Sequence, residues 1–360
     1  AVAAAGDGGL PEGWQPSEHR RPSFSPDGRR LFFGSAPAAD EQPEPELLDE
    51  ERINVDIWHW QDPLLQPQQL LQVERERERS YLAVALLDDG NRVVQLADET
   101  LPDVDLSSDG DGDYAHGSSD LPYRAESSWE FPGLADHFRI EVATGRRLQL
   151  ARGLQGALHL APDGSAMVWW DNRELAWYGR QLDDDGAATR IDVPNPVHNE
   201  WHDWPYRPRP YGLAGWRRGA DGATRAVVYD RYDLWAARPG STDPATPLTA
   251  GAGRDARTRL RWIDLEPDVA WMGDSLLLSA LEEPTRDSGF WLSDTEAAGS
   301  PAVLMQGPYD FGRPVRAEKA DRLLFTRESV AEFPDLWVAS ASLEDARQLT
   351  DANPQQADYN

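Results

Sequence analysis

Three features of the sequence predict an all-β protein, a β-propeller of four-stranded antiparallel blades, about six of them visible. An Asp-Gly turn repeatedly precedes an apolar strand, a segment with an Asp-x-Trp signature or aromatic pair follows it, and a closing strand ends in Leu-Thr or a similar pair. A four-stranded sheet of this kind cannot bury both faces alone, so successive sheets must stack, with Trp and Phe filling the gaps.

The turn occurs as Ser25-Pro26-Asp27-Gly28 before Leu31-Phe32-Phe33, as Ser107-Ser108-Asp109-Gly110 before Tyr114-Ala115, and as Ala161-Pro162-Asp163-Gly164 before Met167-Val168-Trp169-Trp170. Weaker copies are Gly219-Ala220-Asp221-Gly222 before Ala226 to Tyr229, Gly273-Asp274 before Leu276-Leu277-Leu278, and Ala320-Asp321 before Leu323-Leu324-Phe325. Apart from a longer first interval, the turn aspartates recur at about 50 residues, a period of solenoids and propellers. The second strand of each unit is expected at Asp56-Ile57-Trp58-His59-Trp60, Asp233-Leu234-Trp235, Gly289-Phe290-Trp291-Leu292 and Asp335-Leu336-Trp337-Val338. Closing strands are expected at Val94-Gln95-Leu96, Leu148-Gln149-Leu150, Leu248-Thr249 and Leu349-Thr350.

Residues 1–16 read as an irregular N-terminal segment and 17–357 as the propeller, with an insert at 40–80 in the first blade. Within that insert, 40–52 is acidic and Pro-rich, and Pro63 and Pro67 confine any helix to the part after Gln68. Glu/Arg pairs three apart would support that helix modestly.

Composition excludes several functions. With 35 basic and 63 acidic residues the net charge is −28, and its field repels nucleic acid and anionic membrane surfaces. No apolar run approaches the roughly 18–20 residues of a membrane-spanning helix. The absence of cysteine excludes a disulfide scaffold, Cys-ligated metal and a thiol nucleophile. Lys319 is the sole lysine. Arg-rich, acidic composition fits either a GC-rich genome or adaptation to high salt. On the second reading, the denaturation midpoint rises as salt goes from dilute to molar; a midpoint insensitive to salt would remove it.

Candidate chemistry is sparse. The Gly-x-Ser-x-Gly turn of an α/β-hydrolase is missing, since Gly117-Ser118-Ser119-Asp120-Leu121 lacks the closing glycine, so no catalytic residue is assigned. His198 and His202 stand four apart, but Pro194, Pro196 and Pro205 argue against the helix that would put both on one face. The run Asp109-Gly110-Asp111-Gly112-Asp113 has Tyr114 where an EF-hand loop needs glycine. No metal or cofactor is expected. Trp201, Trp204 and Trp216 fall outside the repeating strand positions, near the unusual run Tyr206-Arg207-Pro208-Arg209-Pro210-Tyr211, which could line a funnel mouth or dock a neighbouring domain. Glu282-Glu283 follows the strand of Leu276 and could hold a peptide's free amine by charge-assisted hydrogen bonds. Substrate-binding candidates are therefore Glu282, Glu283, Tyr206, Arg207 and Arg209.

The run from Ser23 to Gly34 resembles the propeller repeats of bacterial prolyl oligopeptidase-family serine peptidases and their TolB-like relatives. Asp335-Leu336-Trp337-Val338 followed by Arg347-Gln348-Leu349-Thr350-Asp351-Ala352-Asn353-Pro354 resembles the last part of that propeller. Leu48-Asp49-Glu50-Glu51 and Arg79-Ser80-Tyr81-Leu82-Ala83-Val84 look like a large-propeller bacterial branch. The resemblance implies seven or eight blades, of which this chain would hold an incomplete ring. It also implies a C-terminal α/β-hydrolase domain, absent from these residues, that carries the Ser-Asp-His triad while the propeller gates access for peptides. The expected partners are a peptide substrate and that hydrolase domain of the same protein, and the expected location is the periplasm or the exterior rather than the cytoplasm. The function implied is thus a non-catalytic, substrate-gating segment of a serine-type peptidase. Two alternatives stay open: a stand-alone TolB-like interaction module, and a propeller enzyme with its own site around His198, Trp201 and Trp204.

Overall fold

The computed structural model describes residues 8–38, 55, 57–107, 110–182, 187–194, 196–198, 208–296 and 299–355. The chain divides into two compact units, 1–164 and 165–360. The fold is all-β and of the propeller type, with successive antiparallel sheets packed face to face inside each unit.

The first unit opens with β1 (Trp14–Ser17), β2 (Ser23–Phe24) and β3 (Arg30–Pro37), followed by α1 (Gln66–Arg77), then β4 (Tyr81–Leu86) and β5 (Arg92–Gln95). These strands form one sheet in the order β1-β3-β4-β5, with β2 also on β3. A second sheet joins β6 (Asp103–Asp105), β7 (Tyr114–Ser119), β8 (Ala135–Glu141) and β9 (Arg147–Leu154) in chain order, and β10 (Leu158–Leu160) follows. Phe32, Val84 and Val94 of the first sheet share one core with Val104, Ala115 and Ile140 of the second.

The second unit holds β11 (Ala166–Asp171), β12 (Ala176–Gln181) and β13 (Thr189–Ile191), then the pair β14 (Val197–His198) and β15 (Arg209–Pro210). Three further sheets follow. One is β16 (Leu213–Arg218), β17 (Thr224–Tyr229), β18 (Leu234–Ala237) and β19 (Thr246–Pro247). After the one-turn α2 (Ala252–Asp255) come β20 (Thr258–Trp262), β21 (Ser275–Glu282), β22 (Ser288–Asp294) and β23 (Ala302–Gly307). The last contains β24 (Asp310–Phe311), β25 (Val315–Arg316), β26 (Leu323–Glu328), β27 (Asp335–Ala339) and β28 (Arg347–Gln348). Strand β21 shows why its apolar run is continuous rather than alternating. Successive side chains leave opposite faces, so Leu276 and Leu278 join Val227 and Leu234 of the preceding sheet, while Leu277 joins Leu323 and Phe325 of the following one.

The Asp-Gly turns are one local structure. In each, the glycine N–H donates to the carbonyl three residues back: Gly28 to Ser25, Gly110 to Ser107, Gly164 to Ala161 and Gly222 to Gly219. All four glycines have φ between 67° and 74°, the left-handed region that a side chain disfavours. The Asp-x-Trp signature has a purpose the pattern did not disclose. Buried Asp233 accepts the Thr249 hydroxyl at 2.7 Å and the Gly253 N–H at 3.0 Å through Oδ1, and the Arg254 N–H at 3.0 Å through Oδ2. Asp335 repeats this with Thr350 at 2.7 Å and the Ala352 N–H at 2.8 Å, and these bonds hold its carboxyl below the usual value. The aspartate therefore latches the closing Leu-Thr segment to the strand that carries the tryptophan. Gly289 stands at the corresponding position of β22, where a Cβ would lie 2.0 Å from the Met305 carbonyl oxygen, so no aspartate fits.

Three expectations are corrected. Residues 57–60 form no strand; Ile57, Trp58 and Trp60 are exposed, and the apolar run Tyr81–Leu86 pairs with β3 instead. The helix starts at Gln66 and contains Pro67, because a first-turn N–H has no intrahelical acceptor to lose. The Gln68 Oε1 accepts the Leu65 N–H at 3.1 Å and closes that end. Trp216 is no free aromatic: it is buried in β16, and its carbonyl accepts the Met272 N–H at 2.7 Å.

Candidate functional site

The turn between β17 and β18 builds a charged cluster in the second unit. Asp230, fully buried, accepts the Tyr232 N–H at 2.7 Å and the Asp233 N–H at 2.6 Å, which bends the backbone into an Asx turn. The second oxygen of Asp230 takes the Arg254 guanidinium at 2.5 Å. This turn presents Arg231 and Tyr232 to the end of β21. There the Glu283 carboxylate receives Arg231 through Nε at 3.1 Å and Nη2 at 2.9 Å, and the Tyr232 hydroxyl at 3.0 Å. Arg259 Nε lies 3.8 Å away. The Glu283 side chain is 15% exposed, whereas those of Arg231 and Arg254 are 37% exposed, so the two arginines are partly open to solvent where their carboxylate partners are not. Burial and the bond to Glu283 push the Tyr232 hydroxyl up, so it stays a donor. Beneath them Arg261, pushed down by burial, stacks on Tyr229 at 4.6 Å and on Tyr211 at 5.5 Å.

Glu282 has different partners: the Thr285 hydroxyl at 3.0 Å and Gln306 Nε2 at 3.4 Å. The two glutamates are adjacent in sequence but share no partner among these bonds. Arg209 lies in β15, exposed, opposite His198 of β14. Tyr206 and Arg207 fall outside the described residues, as do Trp201, His202 and Trp204.

Sequence reasoning missed a histidine cluster in the first unit. His116 of β7 and His137 of β8 stack at 5.2 Å between ring centroids, with His116 Nε2 3.0 Å from His137 Nδ1. His137 is 6% exposed, and its Nε2 is buried with no hydrogen-bond partner among the described residues. Burial is the main cause that lowers His137 to about 4, with His116 adding to it; burial also lowers His159 of β10 to about 4 and depresses His116. Asp105 of β6 and Asp136 of β8 oppose these shifts without overcoming them. The available signal was histidine on polar strand positions, three of them within 44 residues of a chain holding seven.

A cleft lies between the β20–β21 loop and the segment 313–321, both in the second unit. An inner cavity of about 320 Å³ is lined by Trp262, Trp271 and aliphatic side chains together with Asp264, Glu266, Ser275 and Arg316. It adjoins an open groove of about 1090 Å³. No group of three or more metal-ligating side chains occurs among the described residues.

No known family model and no curated protein matches the chain. Among solved structures, dipeptidyl peptidase 4 of Porphyromonas gingivalis is 11% identical with a TM-score of 0.50, over 94% of this chain and 46% of that one. The β-propeller domain of the trilobed protease from Pyrococcus furiosus is 11% identical with a TM-score of 0.41, over 92% and 81%. TolB from Acinetobacter baumannii is 15% identical with a TM-score of 0.35, over 73% and 58%. The first of these likenesses establishes a shared fold, and the chain spans under half of that peptidase.

Proposed function

We propose that this chain is the non-catalytic, substrate-gating propeller of a prolyl oligopeptidase-like serine peptidase, handling peptides for an α/β-hydrolase domain. The observation that supports it is the blade fold shared with a dipeptidyl peptidase over 94% of the chain. The cluster at the end of β21 suits the task. Arg231 and Arg254, oriented by Glu283 and Asp230, can donate to peptide carbonyls or a C-terminal carboxylate, while Glu282 offers an acceptor for an amine. Glu283 acts here by positioning Arg231 rather than by touching the peptide.

Two readouts test the reading. A fluorophosphonate probe and chromogenic Xaa-Pro substrates are expected to show neither labelling nor turnover with the chain alone. Fluorescence anisotropy with peptides labelled on an internal side chain, both termini free, is expected to show binding that Glu283→Gln weakens about tenfold, a loss of about 1.4 kcal/mol. A thermal melt separates that loss from unfolding. Serine labelling or hydrolysis would overturn the non-catalytic reading. Failure to bind any peptide, combined with retention of a protein partner, would favour the interaction module.

A further inference from the structure

We propose that the cleft beside β25 is a subsite for an aromatic side chain of an extended peptide, with the cavity taking the ring and the groove taking the main chain. The proposal deepens the peptide-handling reading and rests on it.

The cavity is built by consecutive blades of the second unit. After β20 the chain leaves the sheet at Trp262, and Ile263 is anchored by its N–H to the Leu277 carbonyl at 2.8 Å. The loop then turns, the Glu266 N–H donating to Asp264 Oδ1 at 3.0 Å and the Val269 N–H to the Glu266 carbonyl at 2.8 Å. Two ties fix it to the next blade: Arg313 Nη2 donates to the Asp264 carbonyl at 2.9 Å, and Arg316 pairs with Glu266. These ties border a space of about 320 Å³, at the small end of the range for ligand pockets, whose lining is more apolar than polar and includes Asp264, Glu266, Ser275 and Arg316. Trp262 and Trp271 line it together with Ile263, Leu277, Leu292 and Leu323. Arg218 stacks on Trp271 at 4.1 Å and restrains that indole. The two indoles and the aliphatic side chains around them favour a flat apolar group through dispersion and offset stacking, with the polar residues Asp264, Glu266, Ser275 and Arg316 also on the lining.

The groove supplies the rest of a peptide's requirements. It shares Asp264, Leu265, Glu266, Val269 and Arg316 with the cavity, so the two are continuous. One wall is Pro314 to Ala317, which contains β25. Among the described strands β25 pairs with β26 alone, and the Ala317 N–H points back to the Arg322 carbonyl at 2.9 Å. By antiparallel alternation the Arg316 N–H and carbonyl then face away from β26, available to an added strand. The groove carries both signs of charge, Arg313, Arg316 and Lys319 alongside the more numerous Asp264, Glu266, Asp268, Glu318 and Asp321, so it offers a partner to each terminus of a short zwitterionic peptide, the amine above all. Val269 and Val315, both at least half exposed, cover it with apolar surface.

Isothermal titration calorimetry with the tetrapeptides Gly-Phe-Gly-Gly and Gly-Ala-Gly-Gly tests the assignment. The phenylalanine peptide is expected to bind at least about tenfold more tightly. Gly273 lines the cavity and is exposed, and a Cβ built there meets nothing within 4 Å, so Gly273→Trp adds an indole at the cavity wall, with a thermal melt to check that the variant stays folded. That variant is expected to keep its melting temperature and lose the preference for phenylalanine, while Val269→Asp, at the rim, reduces it. Equal affinities for the two peptides, or a preference that survives Gly273→Trp, would overturn the subsite and leave the peptide-handling reading intact. Cleavage of either peptide by the chain would overturn the non-catalytic reading and leave the subsite standing.

Discussion

Replacing Asp233 by alanine is expected to destabilise the second unit by about 3 kcal/mol or more, the cost of leaving several buried polar groups without partners. The carboxylate is fully buried and satisfies one hydroxyl and two backbone N–H groups at 2.7–3.0 Å. The Thr249 hydroxyl and the Gly253 N–H are buried and lose their acceptor once the carboxylate is gone; the Arg254 N–H is half-buried. The Leu-Thr segment then loses its tie to β18, and with it the placement of Leu248, a member of the core shared with β20 and β21. Asp233→Asn keeps the shape but trades an acceptor oxygen for a donor, so it should fall between wild type and alanine. Chemical denaturation followed by tryptophan fluorescence measures the change. The same alanine substitution at Asp335 is expected to cost less, because residues around that latch, such as Leu349 and Leu336, are partly open to solvent. Equal stability of wild type and Asp233→Ala would remove the latch from the account.

The second large effect concerns acid. In an unfolded chain His137 and His159 take up protons near pH 6.5; in the folded first unit they resist protonation until about pH 4. Between those values the unfolded state binds more protons than the folded one, so stability falls as pH is lowered and is unaffected by these groups above about pH 7. For His137, 6% exposed, the loss reaches about 3 kcal/mol by pH 4. Loss of carboxylate repulsion toward the isoelectric point works the other way, so the diagnostic quantity is a difference between variants. His137→Phe keeps a buried ring without a titrating group. Its denaturation midpoint is expected to drop less between pH 7 and pH 5 than that of wild type. Proton NMR of the imidazole signals gives an independent check, since His137 titrating near its unperturbed value would contradict the geometry of the stacked pair.

What the sequence disclosed and what it hid follow from the range of the interactions. The Asp-Gly turns were readable because a left-handed glycine and its i to i+3 bond are local, and they placed β3, β7, β11 and β17 correctly. The Asp-x-Trp signature was readable as a pattern but not as a latch, because its Thr partner lies 15 or 16 residues on. That is also why Asp56-Ile57-Trp58 misled: it matches the local pattern, yet Trp58 stays exposed and the strand paired with β3 is the apolar run that begins at Tyr81. At the candidate site, the glutamate pair was visible and its use was not. Arg231 reaches Glu283 across 52 residues, and nothing in the Glu-Glu dipeptide announces a bidentate partner. The histidine pair is equally non-local. His116 and His137 meet because β7 and β8 are registered with Ser118 opposite His137, a diagonal that only the ladder defines.

Amide hydrogen exchange resolved along the chain tests the blade architecture most directly. Slowest exchange is expected in the central strand pairs β3–β4, β7–β8, β17–β18, β21–β22 and β26–β27, with β19, β25 and β28 exchanging faster in each repeat and α1, which buries no residue, fastest of the regular elements. Strongest protection in α1, or exchange in β21 and β22 as fast as in β19, β25 and β28, would contradict a protein built from stacked four-stranded sheets.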